Sequence, residues 1–317
     1  EGHPLESVLR GIGRQAGIRL VGPNCMGVIH TAEDVNLDAT FAPDKPMLGR
    51  IGFLSQSGGL GIAVMARAQA LGSGISSFVS VGNKADLSGN DFIQYWEADA
   101  ATELIMLYLE SFGNPRKFAR IARRVSRSKP ILAVKGGRSV AGNRATSSHT
   151  GALLSASDIT VDALFAQTGV IRTDTLADLF NAALLLGSQP LPTGYRVGII
   201  TNAGGPAILC TDACEASGLL VPQLPTGVRA ELAAFLPGAA STGNPVDMIA
   251  SAGPKEYERA IATLAASQDV DALIVIFTPP LAPQAPEVIR ALQRCARDLP
   301  RPIPPLGVVR SKDSAPR

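Results

Sequence analysis

The residue best suited to nucleophilic chemistry is His149, set in a loop rich in glycine, hydroxyl and basic side chains. The loop opens with Lys135-Gly136-Gly137-Arg138 and continues through Asn143-Arg144-Ala145-Thr146-Ser147-Ser148-His149-Thr150-Gly151-Ala152. Neutral imidazole can take a phosphoryl group, and a carboxylate on its second ring nitrogen fixes the tautomer and raises nucleophilicity. Glu110 is the candidate for that carboxylate. It ends the apolar run Leu104-Ile105-Met106-Leu107-Tyr108-Leu109, and ligands of open α/β sheets gather at the carboxyl ends of strands. Each residue has a plainer reading, a surface histidine and a turn or capping acid.

A repeat supplies the second chemical feature. Ile51-Gly52-Phe53-Leu54-Ser55-Gln56-Ser57-Gly58-Gly59 is matched, 146 positions on, by Val197-Gly198-Ile199-Ile200-Thr201-Asn202-Ala203-Gly204-Gly205. Each copy is a short apolar strand, a hydroxyl residue, an amide residue and two glycines before a helical pattern. Paired glycines let backbone N–H groups approach a ligand, and a helix start offers unpaired donors with partial positive charge. Ser57, Gly58, Gly59, Gly204 and Gly205 are therefore expected to hold phosphate; a tight turn without a ligand is the alternative. The spacing is not G-x-G-x-x-G, no acid ends the following strand, and no G-x-x-x-x-G-K-[ST] occurs, which disfavours a dinucleotide site or a P-loop. A small phosphoryl group fits best.

These residues need parallel strands to carry them. Strands are expected near 51–55, 75–81, 104–109, 131–134 and 169–171, then near 196–201, 219–221, 245–248, 272–277 and 305–309, with helices between. A further short strand is expected at 18–21. Such alternation predicts parallel sheets covered on both faces. Two glycine turns imply two similarly built domains, separated at the linker Gly187 to Gly194. Hydrophobic residues make up 46% and charged residues 18% of the 317, enough for substantial cores. A net charge of +2 leaves no electrostatic footprint for nucleic acid, and the basic run Arg116 to Lys129 reads as a solvated helix face. No run approaches the ~18 apolar residues of a membrane span. Four cysteines are too sparse for a disulfide framework, no metal site is expected, and a cytoplasmic setting fits. The opening Glu1, well inside a helical pattern, reads as the start of a fragment.

The motifs together carry a family resemblance. Gly22-Pro23-Asn24-Cys25-Met26-Gly27-Val28, Gly52 to Gly59, Val81-Gly82-Asn83-Lys84-Ala85-Asp86, Ser148 to Ala152, Thr201 to Pro206 and Gly243-Asn244-Pro245-Val246-Asp247 resemble, in order, the NDP-forming acyl-CoA synthetases, relatives of succinyl-CoA synthetase. The resemblance implies two flavodoxin-like, doubly wound α/β domains over 47–189 and 194–317, with residues 1–46 a remnant of a CoA-binding domain and its linker. It implies His149 as phosphohistidine, Glu110 as its partner, the two glycine turns as phosphate sites, and Pro23, Asn24, Cys25, Asn83 and Asp247 as candidates for the CoA and acyl site. The family interconverts acyl-CoA, phosphate and ADP (or GDP) with carboxylic acid, CoA and ATP (or GTP), through an acyl phosphate. By the same resemblance, nucleotide and Mg2+ belong to an ATP-grasp domain with no counterpart in this sequence. That domain and most of the CoA-binding domain would be supplied in cis or by a separate subunit, and a homo-oligomer is compatible. Two other readings remain at this point, a synthetase-like regulatory region of a protein lysine acetyltransferase and a non-catalytic CoA- or anion-binding module.

Overall fold

The computed structural model describes residues 2–139, 141–142, 157–279 and 285–309. The chain divides into two compact units, Glu1–Ser188 and Gln189–Arg317.

In the first unit, strands β1 (Gly27–His30), β2 (Leu37–Thr40), β3 (Leu48–Ser55), β4 (Ile75–Ser80), β5 (Leu104–Leu109), β6 (Ile131–Lys135) and β7 (Ile171–Thr173) form one sheet in the order β2-β1-β4-β3-β5-β6-β7. From β4 to β7 every pairing is parallel. β4 and β6 are buried along their whole length, as parallel strands covered on both faces must be. Alternate residues feed two cores. Leu54, Ile105 and Leu107 join Trp96, Phe118 and Phe165 on one face. Phe53, Leu104 and Met106 join Met65, Leu179 and Phe180 on the other. The covering helices are thus α3 (Gly89–Ala98), α4 (Pro115–Val125) and α5 (Asp158–Thr168) on the first face, and α2 (Gly58–Ala70) and α6 (Leu176–Ser188) on the second.

The strands expected to be parallel are so where they form, and the first sheet carries an antiparallel edge besides. β1 pairs antiparallel with both β2 and β4, so residues 27–40, placed by sequence in a remnant of another domain, extend the first unit's sheet. The reason lies in local bonding: Met26 N–H donates to Ser80 Oγ at 3.0 Å, Thr31 Oγ1 donates to the Ile75 carbonyl at 2.6 Å, and Ile29 is wholly buried. The short strand expected at 18–21 does not form. The opening helix, α1 (Gly2–Gln15), precedes it.

The second unit has a sheet in the order β11-β10-β8-β9, from β8 (Val197–Thr201), β9 (Val246–Asp247), β10 (Ala272–Phe277) and β11 (Pro305–Val309), all parallel. Around it lie α7 (Gly204–Ala216), α8 (Thr226–Ala233), α9 (Pro254–Ala266) and α10 (Ala285–Arg297). The strand expected at 219–221 is only a bridge between Arg196 and Leu220. Both glycine turns therefore follow strands with a parallel neighbour on each side, β3 and β8. Of the described residues, no helix is long and apolar enough to cross a membrane.

The repeat has a packing component. A Cβ at Gly52 would lie 2.6 Å from the Trp96 ring, and one at Gly198 3.0 Å from both Leu264 and Leu273. These glycines let a side chain from the covering helix cross close to the strand. Gly52→Ala should therefore destabilise the first unit by about 1–3 kcal/mol through overpacking, read as a lower denaturation midpoint at unchanged m-value.

Candidate functional site

The carboxyl edge of the first sheet is held by side chains of the repeat itself. Ser55 Oγ donates to the Ser57 carbonyl at 2.6 Å and accepts from the Ser57 amide, closing the turn on itself. Gln56, buried, reaches the end of β5: its Oε1 accepts the amides of Glu110 and Ser111, each at 2.8 Å, and its Nε2 donates to the Ser111 carbonyl at 2.7 Å. The second copy repeats this geometry. Thr201 Oγ1 donates to the Ala203 carbonyl and accepts its amide, both at 3.0 Å, while Asn202 bonds both backbone groups of Thr278 just beyond β10. The hydroxyl and amide residues singled out as neighbours of a phosphate are thus the supports of the turns.

The glycines that follow have another environment. A Cβ at Gly59 or Gly205 would meet nothing within 4 Å, so internal packing requires glycine at neither position. Ser57 caps α2 by accepting the Leu60 amide at 3.4 Å; Ala203 provides no side-chain cap for α7. The first-turn amides remain donors that no helix can pair internally. In the second unit Asp247 stands beside this turn, its Oδ2 3.0 Å from where a Cβ of Gly204 would lie.

Two motifs distant in sequence meet beside the first turn. The Asn83 amide donates to the Pro23 carbonyl at 3.0 Å, the Ala85 amide to Gly22 at 2.9 Å, and Asn24 Nδ2 to Asn83 Oδ1 at 3.2 Å. Asp86 secures the pair by accepting from Arg19 Nε at 2.8 Å and the Leu20 amide at 3.0 Å. The Arg19 guanidinium, then the Leu20 amide, hold the Asp86 carboxyl below the usual range. Asn24, Cys25, Ser57, Gly58, Gly59 and Asn83 consequently line one cleft of about 520 Å³, with Met26, Phe41 and Ile62 as apolar wall. Cys25 Sγ is turned to the Val21 carbonyl, at 3.6 Å.

His149 lies outside the described residues. The ion pair Arg138–Asp158 (3.4 Å) joins the two stems of its loop, Arg138 also pairs with Asp174 just past β7 (2.5 Å), and Arg172 on β7 pairs with Asp158 and Asp162. Glu110 is part-buried at the end of β5, as its place in the sequence implied. Sequence reasoning passed over its electrostatic neighbours, Lys84 and Lys135. Burial lowers the pKa of both ammoniums, and the Glu110 carboxylate acts against that on each. A lysine closing the buried run Ile131–Lys135 was a signal available in the sequence. Cys210 and Cys214 are no reactive pair, since burial, then the neighbouring Cys214, pushes Cys210 up to about 11. Of the described residues, no three His, Cys, Asp or Glu gather where they could hold a metal.

Comparison with known proteins places the two units. Residues 48–186 match the succinyl-CoA ligase-like flavodoxin domain and residues 197–303 the ligase-CoA domain. The chain is 37% identical to subunit alpha of the ADP-forming acetate–CoA ligase I of Pyrococcus furiosus, over 99% of this chain and 68% of that one. The chain belongs to the NDP-forming acyl-CoA synthetase family. Another relative, the ADP-forming acetate–CoA ligase I of Archaeoglobus fulgidus, is 38% identical over 88% of this chain, which spans only 40% of that protein. Among solved structures, the acetyl-coenzyme A synthetase 1 of Ca. Korarchaeum cryptofilum, in complex with phosphate and ADP, superposes with a TM-score of 0.88 at 33% identity, over 96% of this chain and 66% of that one. The two domain matches thus fall one in each α/β unit.

Two outcomes follow from this geometry. Gln56→Ala and Asn202→Ala should each cost about 1–3 kcal/mol, the penalty for leaving buried backbone groups unsatisfied, measured by chemical denaturation. The Asp86 contact should be acid-sensitive. A carboxyl with a depressed folded-state pKa contributes stability above its unfolded value of about 3.9 and loses it as pH falls through the folded value. Amide exchange at Asn83 and Ala85, corrected for intrinsic rates, should therefore quicken in acid, and Asp86→Asn should produce the same release at neutral pH.

Proposed function

We propose that this chain is the phosphoryl-carrying core of an NDP-forming acyl-CoA synthetase. The observation that carries the reading is the cleft itself, where the Pro23-Asn24-Cys25 turn, the Ser57-Gly58-Gly59 helix start and Asn83 come together at the carboxyl edge of a parallel sheet. Helix-start donors and unobstructed Gly59 suit a phosphate, and the apolar wall beside them suits an acyl chain with the thiol end of CoA.

The chemistry proceeds by three displacements. A phosphate oxygen attacks the thioester carbonyl, and the CoA thiolate departs to form acyl phosphate. A ring nitrogen of His149 then attacks phosphorus, and the carboxylate leaves with the P–O bonding pair. The nucleoside diphosphate finally takes the phosphoryl group from His149. The role of Glu110 is to accept the N–H of the other imidazole nitrogen, holding the nucleophilic tautomer and balancing the positive charge that develops. Gly204 and Gly205 serve the phosphoryl group in the second unit, and Asp247 acts beside them. We assign the nucleotide, ADP or GDP, and its Mg2+ to protein outside residues 1–317, in cis or on a partner subunit. The nearby relative from Pyrococcus furiosus is itself named a subunit alpha.

The full-length assembly, given acyl-CoA and phosphate or given nucleoside triphosphate, should become phosphorylated at His149 through an acid-labile, alkali-stable bond. His149→Ala should abolish labelling. Glu110→Gln should slow it roughly 10²–10³-fold, the scale of losing an oriented charge in a desolvated site. Gly59→Leu should impair labelling by obstructing the helix start while leaving the fold intact, because a Cβ there meets nothing within 4 Å. Undiminished labelling of His149→Ala would overturn the proposal.

A further inference from the structure

The outward face of α4 takes no part in the displacements above, and we infer that its arginines form a docking surface for a helix of another polypeptide that presents a row of carboxylates. The inference stands apart from the chemistry proposed for His149.

The row is built on one helix. α4 buries Phe118, Ile121, Ala122 and Val125 in the core of the first unit, which leaves Arg116, Arg120, Arg123, Arg124 and, just past its end, Arg127 exposed. Around Ala119 these five arginines enclose a groove of about 460 Å³. The lysines of the same run are used inside the fold. Lys117 Nζ pairs with Asp91 at 2.6 Å, and Lys129 Nζ donates to the carbonyls of Trp96 and Asp99, each at 2.6 Å. The arginines are placed otherwise. Among the described residues only Arg124 of the five meets a carboxylate, that of Glu97, at 2.6 Å. Arg123 donates to the Gln167 carbonyl at 3.2 Å, which leaves its charge unbalanced. Arg116, Arg120 and Arg127 have no hydrogen bond or ion pair among the described residues.

Within the free chain this arrangement is unfavourable. Arg116, Arg120 and Arg124 stand four residues apart, so like charges meet on successive turns. Arg116 also lies in the first turn, which has no acidic residue and where the helix dipole disfavours a cation. An external row of anions relieves these repulsions together. Three features select its kind. Guanidinium forks match oxyanions bidentately and shed water more readily than ammonium groups, and arginine is enriched, lysine depleted, where proteins meet. Every wall of the groove belongs to α4 or the turn after it, whereas a small-ligand site closes around most of its ligand. No aromatic side chain lines it for a base to stack on, and a net charge of +2 gives little general attraction for nucleic acid. From Arg116 to Arg127 the row spans about 16 Å, roughly three turns of a facing helix.

The test uses a synthetic alanine-based helix with glutamates at i, i+4, i+8 and i+11, titrated into the chain at low salt. It should bind, and added salt should weaken the complex. Arg120→Glu combined with Arg127→Glu should weaken binding roughly tenfold or more. Lys255→Glu combined with Arg290→Glu, an equal change of charge at exposed positions of the second unit, should leave it unchanged. Arg120→Glu alone replaces repulsion with attraction on both neighbouring turns, so the denaturation midpoint of the free chain should rise. No binding at low salt, equal binding of a peptide with the same glutamates scattered around its helix, or equal loss in the two double variants would overturn the inference. A lower midpoint for Arg120→Glu would assign the row to the fold and overturn it as well. Tighter binding of inorganic tripolyphosphate, or of a single-stranded oligonucleotide of the same charge, would reassign the row to phosphate and count equally against it.

Discussion

The side chain of Gln56 is almost wholly buried between the ends of β3 and β5, and spends both its oxygen and its nitrogen on the backbone of Glu110 and Ser111. Parallel strands end in backbone groups that the sheet ladder no longer pairs, and a buried unpaired group costs about 1–3 kcal/mol. The amide resolves this by replacing water with a rigid fork. The same fork sets the spacing between the helix start at Ser57 and the carboxylate at Glu110, so a requirement of folding also fixes the geometry proposed for catalysis. Asn202 does the same for Thr278 in the second unit. One methylene shorter than glutamine, it still reaches both groups of its partner residue, and the internal repeat extends to the bonding of its side chains.

Much of this was legible in the sequence because parallel strands buried on both faces leave unbroken apolar runs. The strands expected at 104–109, 272–277 and 305–309 have those bounds in the structure, and the glycine turns follow strands as expected. What escaped has a shared physical origin. β1 and β2 have four residues each, and of these eight only Ile29 is buried, so the apolar pattern is weak; β2 is the edge strand and β1 lies next to it. Leu219–Val221 has the composition of a strand, but its ladder reduces to one bridge. Docking of residues 19–25 against 82–87 depends on backbone carbonyls, one ion pair and the Asn24–Asn83 hydrogen bond, none of which leaves a periodic signal. At the site, Glu110 was visible as an acid closing an apolar run. The same reasoning applied to Lys135 would have found the cation beside it.

The repeat also separates two demands that sequence similarity merges. Gly52 and Gly198 are glycines because a neighbouring side chain occupies the space of a Cβ; Gly59 and Gly205 have open space there. A glycine under steric pressure explains itself within the chain. A glycine at a helix start with no such pressure does not, and its small size matters only to something approaching from outside. The helix start supplies the reason for that approach, through first amides that precede any helical carbonyl able to pair them and the positive end of the helix dipole. The two units thus share a design in which side-chain hydroxyl and amide groups fix a turn so that the backbone just beyond it can be left bare. That division of labour explains why the motif contains polar side chains, although these face inward, and why the ligand contacts proposed for it fall to residues with no side chain at all.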